Sequence, residues 1–425
     1  MKKVLFIIQS YPSNRSANVL CDEKIMKEML KTGEYEIHCL VYRFHGQQTY
    51  EEINGLKIHR FRRSKWWDLY TYARDHESKT FYKCIVKLNR LYMRFRQLVC
   101  IPIYPNYEPV LARLAAKEAI ELHKKENFDL VIAEHSGRDT LFGGMKLKEF
   151  APNIKLISIL WDPISGRDLA KYLPTKYAQQ KIVVDELKLL GNSDRIICLA
   201  SNRKFQEIHS SNKPFYNNIR FLDIPGIIPP NENRVTENYT KKGKINILYS
   251  GILSLPDRDP SIIIDIIKNS RFSSQINLLF FSAGIDGIEK AKKSLRDFNG
   301  DYLIHPYVPK NVLDSIAANS DILLNIGGPN PRMVPSKIFE YLSLCKPIIS
   351  SYYIDNESSK GYFESYPLAL CIDIRKPLGE CVAQFESFIE NRLNDTFEFE
   401  SVRKLYPLNT PQKFIEVFEE VFEKE

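Results

Sequence analysis

Short apolar runs alternate with longer amphipathic stretches along the whole chain, in two sets separated by a single break. That rhythm is the mark of βαβ units and parallel sheets. In the first set the strand-like runs are Lys3–Gln9, Tyr35–Val41, Lys57–Arg62, Phe128–Ala133, Lys155–Leu160, Arg195–Leu199 and Ile219–Ile224. Helical periodicity fills most gaps, as at Val19–Lys31 and Val110–Lys125. The break, Pro225–Lys244, holds Pro229-Pro230, Asn231, Asn233, Asn238 and Lys241-Lys242-Gly243 and has the composition of a linker. The second set restarts with Ile245–Ser250, Ile276–Phe281, Asp301–Pro306, Asp321–Ile326, Pro347–Ser351 and Leu368–Ile372. Purely apolar stretches such as Ile247-Leu248-Tyr249 suit sheets covered on both faces. A chain of 425 residues exceeds what one core usually organises. The expected architecture is therefore α/β: two doubly wound domains, 1–225 and 245–407, a linker at 226–244, and a terminal helix within 408–425. Such an arrangement offers a crevice between the carboxyl ends of two sheets, where ligands bind. The terminal helical pattern, Thr410–Glu423, puts Phe414, Val417, Phe418 and Val421 on one face.

The segment Met333–Ser350 carries the most chemistry. Pro335 suits the first turn of a helix, where its missing N–H is not needed. Ser336 and Lys337 would then lie at the positive end of the helix dipole, beside free backbone donors that can hold an anion. Glu340 follows one turn later on the same face, inside the otherwise apolar Ile338-Phe339-Glu340-Tyr341-Leu342. Burying that carboxylate is costly unless hydrogen-bond donors meet it, and two ribose hydroxyls would do so. The bland alternative is an exposed Glu on an amphipathic helix. Phosphates at the helix start and ribose on the Glu would grip a nucleoside diphosphate.

This segment resembles the signature of GT-B glycosyltransferases, in particular the family 4-like enzymes. Their motif is a helix bearing a Glu, with another Glu eight positions earlier and Gly-x-Pro-Val-Ile after it. Here Glu340 is the second Glu, Arg332 stands where the first would be, and Cys345 takes the place of the Gly before Lys346-Pro347. The resemblance covers nearly the whole chain. It implies two Rossmann-like domains and a C-terminal helix that crosses back onto the first. In the family, the loop after the first strand of the second domain supplies an Arg and a Lys to the diphosphate. That loop here begins at Gly251, with Ile252 at the usual Arg position and Arg258 near the usual Lys position. The guanidinium fork of Arg258 suits phosphate oxygens; its plain alternative is pairing with Asp257 or Asp259. A glycine at Gly251 lets the backbone approach a ligand closely. By position, Tyr307 and Val308 are the candidates for base contacts, and Phe281-Ser282-Ala283-Gly284 either floors the nucleotide site or forms a tight turn. Arg332 reverses the charge of the sugar-facing Glu. It would contact a carboxylated donor sugar or the diphosphate, or else face solvent.

In the first domain, the loop after the opening strand places Asn14 and Arg15 as candidate donor or acceptor contacts. Two later strand ends bear Glu134-His135-Ser136-Gly137 and Trp161-Asp162-Pro163. Related enzymes often carry a His-Asp pair at the second; here Trp161 holds the His position and Asp162 matches the Asp. His135 is the candidate to take over the polar role, or is a satisfied structural His. Cleaving the bond from sugar C1 to phosphate creates an oxocarbenium-like sugar and a diphosphate leaving group, which fixed positive groups stabilise. Arg258, Lys337 and the helix start would supply that charge without a metal, and no Asp-x-Asp motif argues for Mg2+. No cofactor is expected beyond the nucleotide diphosphate sugar as substrate. The resemblance implies retention of anomeric configuration.

The eight cysteines are scattered, form no Cys-x-x-Cys pair, and read as reduced core residues of a cytoplasmic protein. No apolar run nears the roughly 20 residues of a membrane-spanning helix, and the apolar start reads as a first strand. The net charge of +8 is local: Lys57–Arg96 has twelve Lys and Arg against three Asp and Glu. Within it, Lys79, Lys83, Lys87, Arg90 and Arg94 form one helical face and Phe81, Ile85, Leu88, Tyr92 and Phe95 the other. That pattern suits either an anionic membrane surface contacted through residues 57–96 or a surface helix with its apolar side in the domain core. No nucleic-acid recognition motif accompanies it. The expectation is a glycosyltransferase that moves a sugar from a nucleotide sugar to a glycan or lipid-linked glycan in surface polysaccharide biosynthesis. It would work in the cytoplasm, peripheral to the inner face of the plasma membrane. The rivals are a sugar-nucleotide 2-epimerase of the same architecture and a non-catalytic GT-B protein that binds a glycan or a partner.

Overall fold

The computed structural model describes residues 1–12, 16–165, 170, 173–230, 239–331 and 334–423. The chain divides into two compact units, Met1–Pro225 with Pro411–Glu425, and Gly226–Thr410.

The first unit is built on eight strands: β1 (Lys2–Ile7), β2 (Tyr35–Tyr42), β3 (Tyr50–Ile53), β4 (Leu56–Phe61), β5 (Leu130–Glu134), β6 (Lys155–Leu160), β7 (Arg195–Leu199) and β8 (Ile219–Leu222). Their order is β3-β4-β2-β1-β5-β6-β7-β8. All neighbours are parallel except β3, which pairs antiparallel with β4. The β3–β4 hairpin turns on Asn54 and Gly55, both at positive φ (51° and 81°), the geometry of a two-residue turn whose twist matches its strands. The helices are α1 (Ala17–Thr32), α2 (Lys65–Asp75), α3 (Thr80–Val99), α4 (Pro109–Glu126), α5 (Arg138–Phe150), α6 (Thr175–Leu190) and α7 (Arg203–Ser210). Ser16 caps α1 by accepting from the Val19 N–H, and Gly33 ends it in the left-handed region at φ 71°. Leu5, Ile7, Val131, Ala133, Leu156 and Ile196 anchor the core, on which the small residues Ala115 and Ala119 of α4 let that helix lie close.

The second unit has six strands, β9 (Ile245–Ile252), β10 (Ile276–Ala283), β11 (Asp301–His305), β12 (Ile322–Ile326), β13 (Ile348–Tyr352) and β14 (Ala369–Asp373). They are all parallel, in the order β11-β10-β9-β12-β13-β14. This is the doubly wound order whose direction of winding reverses between the first and fourth strands, here β9 and β12. Its helices are α8 (Ser261–Asn269), α9 (Ile285–Ser294), α10 (Lys310–Asn319), α11 (Lys337–Ser343), α12 (Lys360–Glu364), α13 (Leu378–Arg392) and α14 (Phe399–Leu405). The run Ile263, Ile264, Ile266 and Ile267 buries α8 against Phe280, Phe385 and Ile389. Residues 226–228, within the linker-like stretch, pack on α11. The Ile228 N–H donates to Ser343 Oγ at 3.3 Å, and a Cβ on Gly226 would come within 2.3 Å of Phe339 Cβ.

Helix α15 (Pro411–Glu423) belongs to the first unit. Phe414, Val417, Phe418 and Val421 are buried at i, i+3, i+4 and i+7 spacing. Glu420 on its other side takes Arg195 at 3.0 Å and Arg220 at 2.9 Å, and Glu419 pairs with Lys2 and Tyr35. The expectation of two Rossmann-like doubly wound sheets is met. Strand β3 is an addition that the Asn-Gly pair could have announced.

Candidate functional site

The second unit gathers its chemistry at the carboxyl end of β9, beside the point where the winding reverses. Ser250 is the hub. Lys337 Nζ donates to the Ser250 carbonyl at 2.8 Å and to Ser250 Oγ at 2.6 Å. Four residues on, Tyr341 accepts from the Ser250 N–H at 3.1 Å and shares a hydrogen bond with Ser250 Oγ at 3.1 Å. Burial pushes the Tyr341 hydroxyl up to about 12, so it stays protonated. The i, i+4 spacing puts Lys337 and Tyr341 on one face of α11, so that face is stitched to the strand end. Next along β9, the Tyr249 hydroxyl donates to the Ile252 carbonyl at 3.1 Å, and a Cβ on Gly251 would sit 3.0 Å from that hydroxyl oxygen. A side chain at position 251 would therefore press on the Tyr249 ring and push it aside slightly.

Around this hub the charges are mixed but tilt positive. Glu340 accepts from Lys310 Nζ at 3.1 Å, and Lys310 also pairs with Asp314 one turn along α10. Burial works against the Lys310 charge, but Glu340 and Asp314 outweigh it and hold its pKa above the ordinary range. Lys337 behaves oppositely. Burial lowers its pKa to about 8, with Lys310 and Arg258 pushing the same way against Glu340 and Asp314. The Arg258 guanidinium acts on the hydroxyls of Tyr249 and Tyr307 as well as on Lys337. Among the described residues, neither Asp257 nor Asp259 forms an ion pair with it; Asp259 instead accepts from the Ser261 N–H at 2.8 Å. Three cations, Arg258, Lys310 and Lys337, therefore meet at one strand end with Glu340 among them.

The structure thus brings Gly251, Arg258, Tyr307, Lys337 and Glu340 together. Val308 follows Tyr307 in the turn before α10 and is half-buried. Ser336 stands at the N-cap of α11 with helical φ and makes no side-chain cap bond. The helix start differs from the sequence reading: α11 begins at Lys337, so Pro335 precedes the cap and is not in the first turn. With only seven residues its dipole contributes less than a long helix would. Side-chain cations carry most of the positive potential here. Gly284, at φ 114°, is the N-cap of α9, and a Cβ there would run into the Leu253 carbonyl. Ser250, Lys310 and Tyr341 were not singled out from sequence. Arg332, Asn14 and Arg15 lie outside the described residues.

In the first unit, His135 lies at the end of β5, next to β1, where that sheet's winding reverses. It is buried, and its Nδ1 lies 3.3 Å from the Asp162 backbone carbonyl. The Asp162 side chain is exposed. Beneath them, Glu134 accepts from Asn18 Nδ2 at 3.0 Å. Asp22 of α1 is fully buried beside Glu134 and the Trp161 indole. Burial, then the Glu134 charge, drives the Asp22 carboxyl well above the usual carboxylate range, with the Trp161 N–H pulling the other way. Trp161 itself packs on Phe414 of α15 with ring centroids 5.8 Å apart. It fills the core, which accounts for an apolar ring at this strand end. Among the described residues, Glu36, His38 and Glu126 have ligand-type atoms within 4.8 Å of one another. Lys3 and Lys57 already balance those carboxylates, so the group reads as an ion-pair cluster.

No protein-family model matches the sequence, and no curated protein matches it. Solved structures match over the full length. A glycosyltransferase from Rickettsia africae ESF-5 aligns with TM-score 0.59 and 10% identity over 100% of this chain and 99% of that one. Anabaena HepE in complex with UDP and glucose gives 0.55 and 11% over 99% and 100%. A UDP-N-acetylglucosamine 2-epimerase gives 0.53 and 14% over 99% and 96%. At these identities the likeness is one of fold. The fold is GT-B, the architecture that glycosyltransferases share with sugar-nucleotide epimerases.

Proposed function

We propose that the protein is a glycosyltransferase that binds a nucleoside diphosphate sugar at the β9 end of its second unit and transfers the sugar to a glycan or lipid-linked glycan. The carrying observation is Lys337: a half-buried ammonium fixed on Ser250, its charge disfavoured by burial and by two neighbouring cations. An anion would relieve that strain, and a diphosphate carries enough charge to serve Lys337, Arg258 and Lys310 together. Glu340 accepts the ribose hydroxyls while Lys310 keeps its bond to Asp314. Gly251 leaves the strand end open, and Tyr307 and Val308 border the base. As the C1–phosphate bond breaks, Arg258 and Lys337 stabilise the negative charge growing on the leaving diphosphate. HepE, which shares the fold, holds UDP and glucose.

On this reading the first unit recognises the acceptor, with His135 and Asp162 as its catalytic candidates and Asn14 and Arg15 as further contacts. Arg332 contacts a carboxylated sugar or the diphosphate. The anomeric configuration is retained, and the product enters a surface polysaccharide made at the cytoplasmic face of the plasma membrane. The fold likeness to an epimerase supports a second reading, 2-epimerisation of the nucleotide sugar. Product analysis with UDP-sugars separates the two. A transferase releases UDP and extends an acceptor, whereas an epimerase changes the sugar with no acceptor present. Glu340→Gln should abolish either turnover, and full activity in that variant would overturn the site assignment.

A further inference from the structure

A parallel crossover from β4 to β5 needs one helix, and α4 supplies it. The α2–α3 hairpin is extra. It is held by the Trp66 indole donating to Asn89 at 2.8 Å, by the Glu108 carboxylate between Arg63 and Arg96, and by a small cluster of Ala73, Ile85 and Val86. Helix α3 has 20 residues, of which only Ile85 and Val86 are buried. At roughly 100° per residue its surface falls into three sectors. One, with Tyr82, Ile85, Val86 and Asn89, faces α2. The second is a bare apolar ridge of Phe81, Leu88, Leu91, Phe95, Leu98 and Val99, with Phe81, Leu91 and Phe95 69%, 62% and 64% exposed. The third is a stripe of Lys79, Lys83, Lys87, Arg90 and Arg94, all exposed and, among the described residues, without an ion-pair partner. The sequence left two alternatives for the apolar side, core or membrane. Of that side only Ile85 is buried, and it lies in the small cluster with Ala73 and Val86, apart from the first unit's core.

We propose that the α3 ridge docks the protein on an anionic lipid bilayer, with Phe81, Leu88, Leu91 and Phe95 in the acyl boundary and the Lys/Arg stripe on the lipid headgroups. An exposed apolar strip of this length marks an interaction surface, and a basic stripe beside it selects a negative partner. A second copy of the chain would bring the same five cations against each other. A nucleic acid would satisfy the stripe and leave the ridge in water. The proposal stands independently of the nucleotide site.

Flotation of the intact protein tests it. Vesicles of phosphatidylglycerol and phosphatidylethanolamine should carry the protein up at low salt, and phosphatidylcholine vesicles should not. Lys83→Gln with Lys87→Gln should weaken partitioning roughly five-fold per cation removed. Leu91→Glu with Phe95→Glu should abolish it at any salt, with unchanged circular dichroism because those side chains are exposed. Cys84, the one exposed cysteine, lies within the ridge. An environment-sensitive dye on it should shift to the blue with anionic vesicles. Calorimetric UDP binding should be the same in all these variants, so this proposal and the nucleotide reading fail separately. No flotation of wild type with anionic vesicles, equal flotation with neutral ones, or a dimer that Leu91→Glu with Phe95→Glu dissolves would overturn the docking proposal.

Discussion

Replacing Lys337 by Met should make the empty protein more stable and the nucleotide complex weaker. The pKa of Lys337 falls from the usual 10.5 to about 8, first through burial. At 1.36 kcal/mol per unit, holding the charge costs about 3 kcal/mol wherever the group is protonated in the fold, below pH 8. The unfolded chain binds this proton up to its ordinary pKa. Between about pH 8 and 10.5 it therefore holds more protons than the folded state, and stability rises with pH across that window. Met removes the cost but leaves the Ser250 carbonyl and hydroxyl short of a donor, an offset of about 1–2 kcal/mol. The net gain is about 1–2 kcal/mol at pH 7, or roughly 2–8 °C in Tm for the affected unit. It should shrink towards pH 10. Scanning calorimetry at pH 7 and 9.5, following the transition that UDP shifts, measures both halves. UDP affinity should fall by about 10- to 150-fold, since a hydrogen bond to a charged group is worth about 1.5–3 kcal/mol. In wild type the affinity should decline about ten-fold per pH unit above 8, and Lys337→Arg, which does not deprotonate, should flatten that decline. A destabilised Lys337→Met protein with unchanged UDP affinity would show that Lys337 is only a clamp between α11 and β9.

Three further outcomes follow from the fold. Gly226→Ala should destabilise the second unit by about 1–3 kcal/mol in urea unfolding, because its Cβ would lie 2.3 Å from Phe339 Cβ. Cys345→Gly should be neutral or stabilising by up to about 1 kcal/mol in the same assay, because Cys345 holds the left-handed φ of 58° that glycine adopts freely. The neighbouring His38 and His59, 2.9 Å apart, are both held below the ordinary histidine range, first by burial, with His59 at about 4. The unfolded chain takes up these protons near pH 6.5. Stability should therefore drop between pH 6.5 and 4, by about 2 kcal/mol after allowance for partial exposure, and His59→Gln should blunt the drop.

Both sheets were legible because their strands are nearly continuous apolar runs, the pattern that burial on two faces demands. Strand β3 escaped because Tyr50–Ile53 lies on a sheet edge with little apolar content; only Asn54-Gly55 betrayed it. The helix start was misplaced because Pro335 fits a first turn by its own geometry. Neighbours decide the matter: Lys337 and Tyr341 reach Ser250, 87 and 91 residues earlier in the chain. The same distance hid Ser250 and Tyr341. Lys337 stood out at a helix start and Glu340 as a carboxylate inside an apolar helix, whereas Arg258 was reached only through the family resemblance. On α3 the period of the apolar residues was clear, but periodicity is identical for a face against a core and a face against nothing.

On the proposed reading, the β9 end of the second unit binds a nucleoside diphosphate through its phosphates and ribose. Titration calorimetry of wild type and Glu340→Gln with UDP and with inorganic pyrophosphate tests it directly. Wild type should bind UDP more tightly than pyrophosphate, and Glu340→Gln should lose that difference while keeping its pyrophosphate affinity. Equal UDP binding by the two proteins, or no UDP binding by wild type, would contradict it.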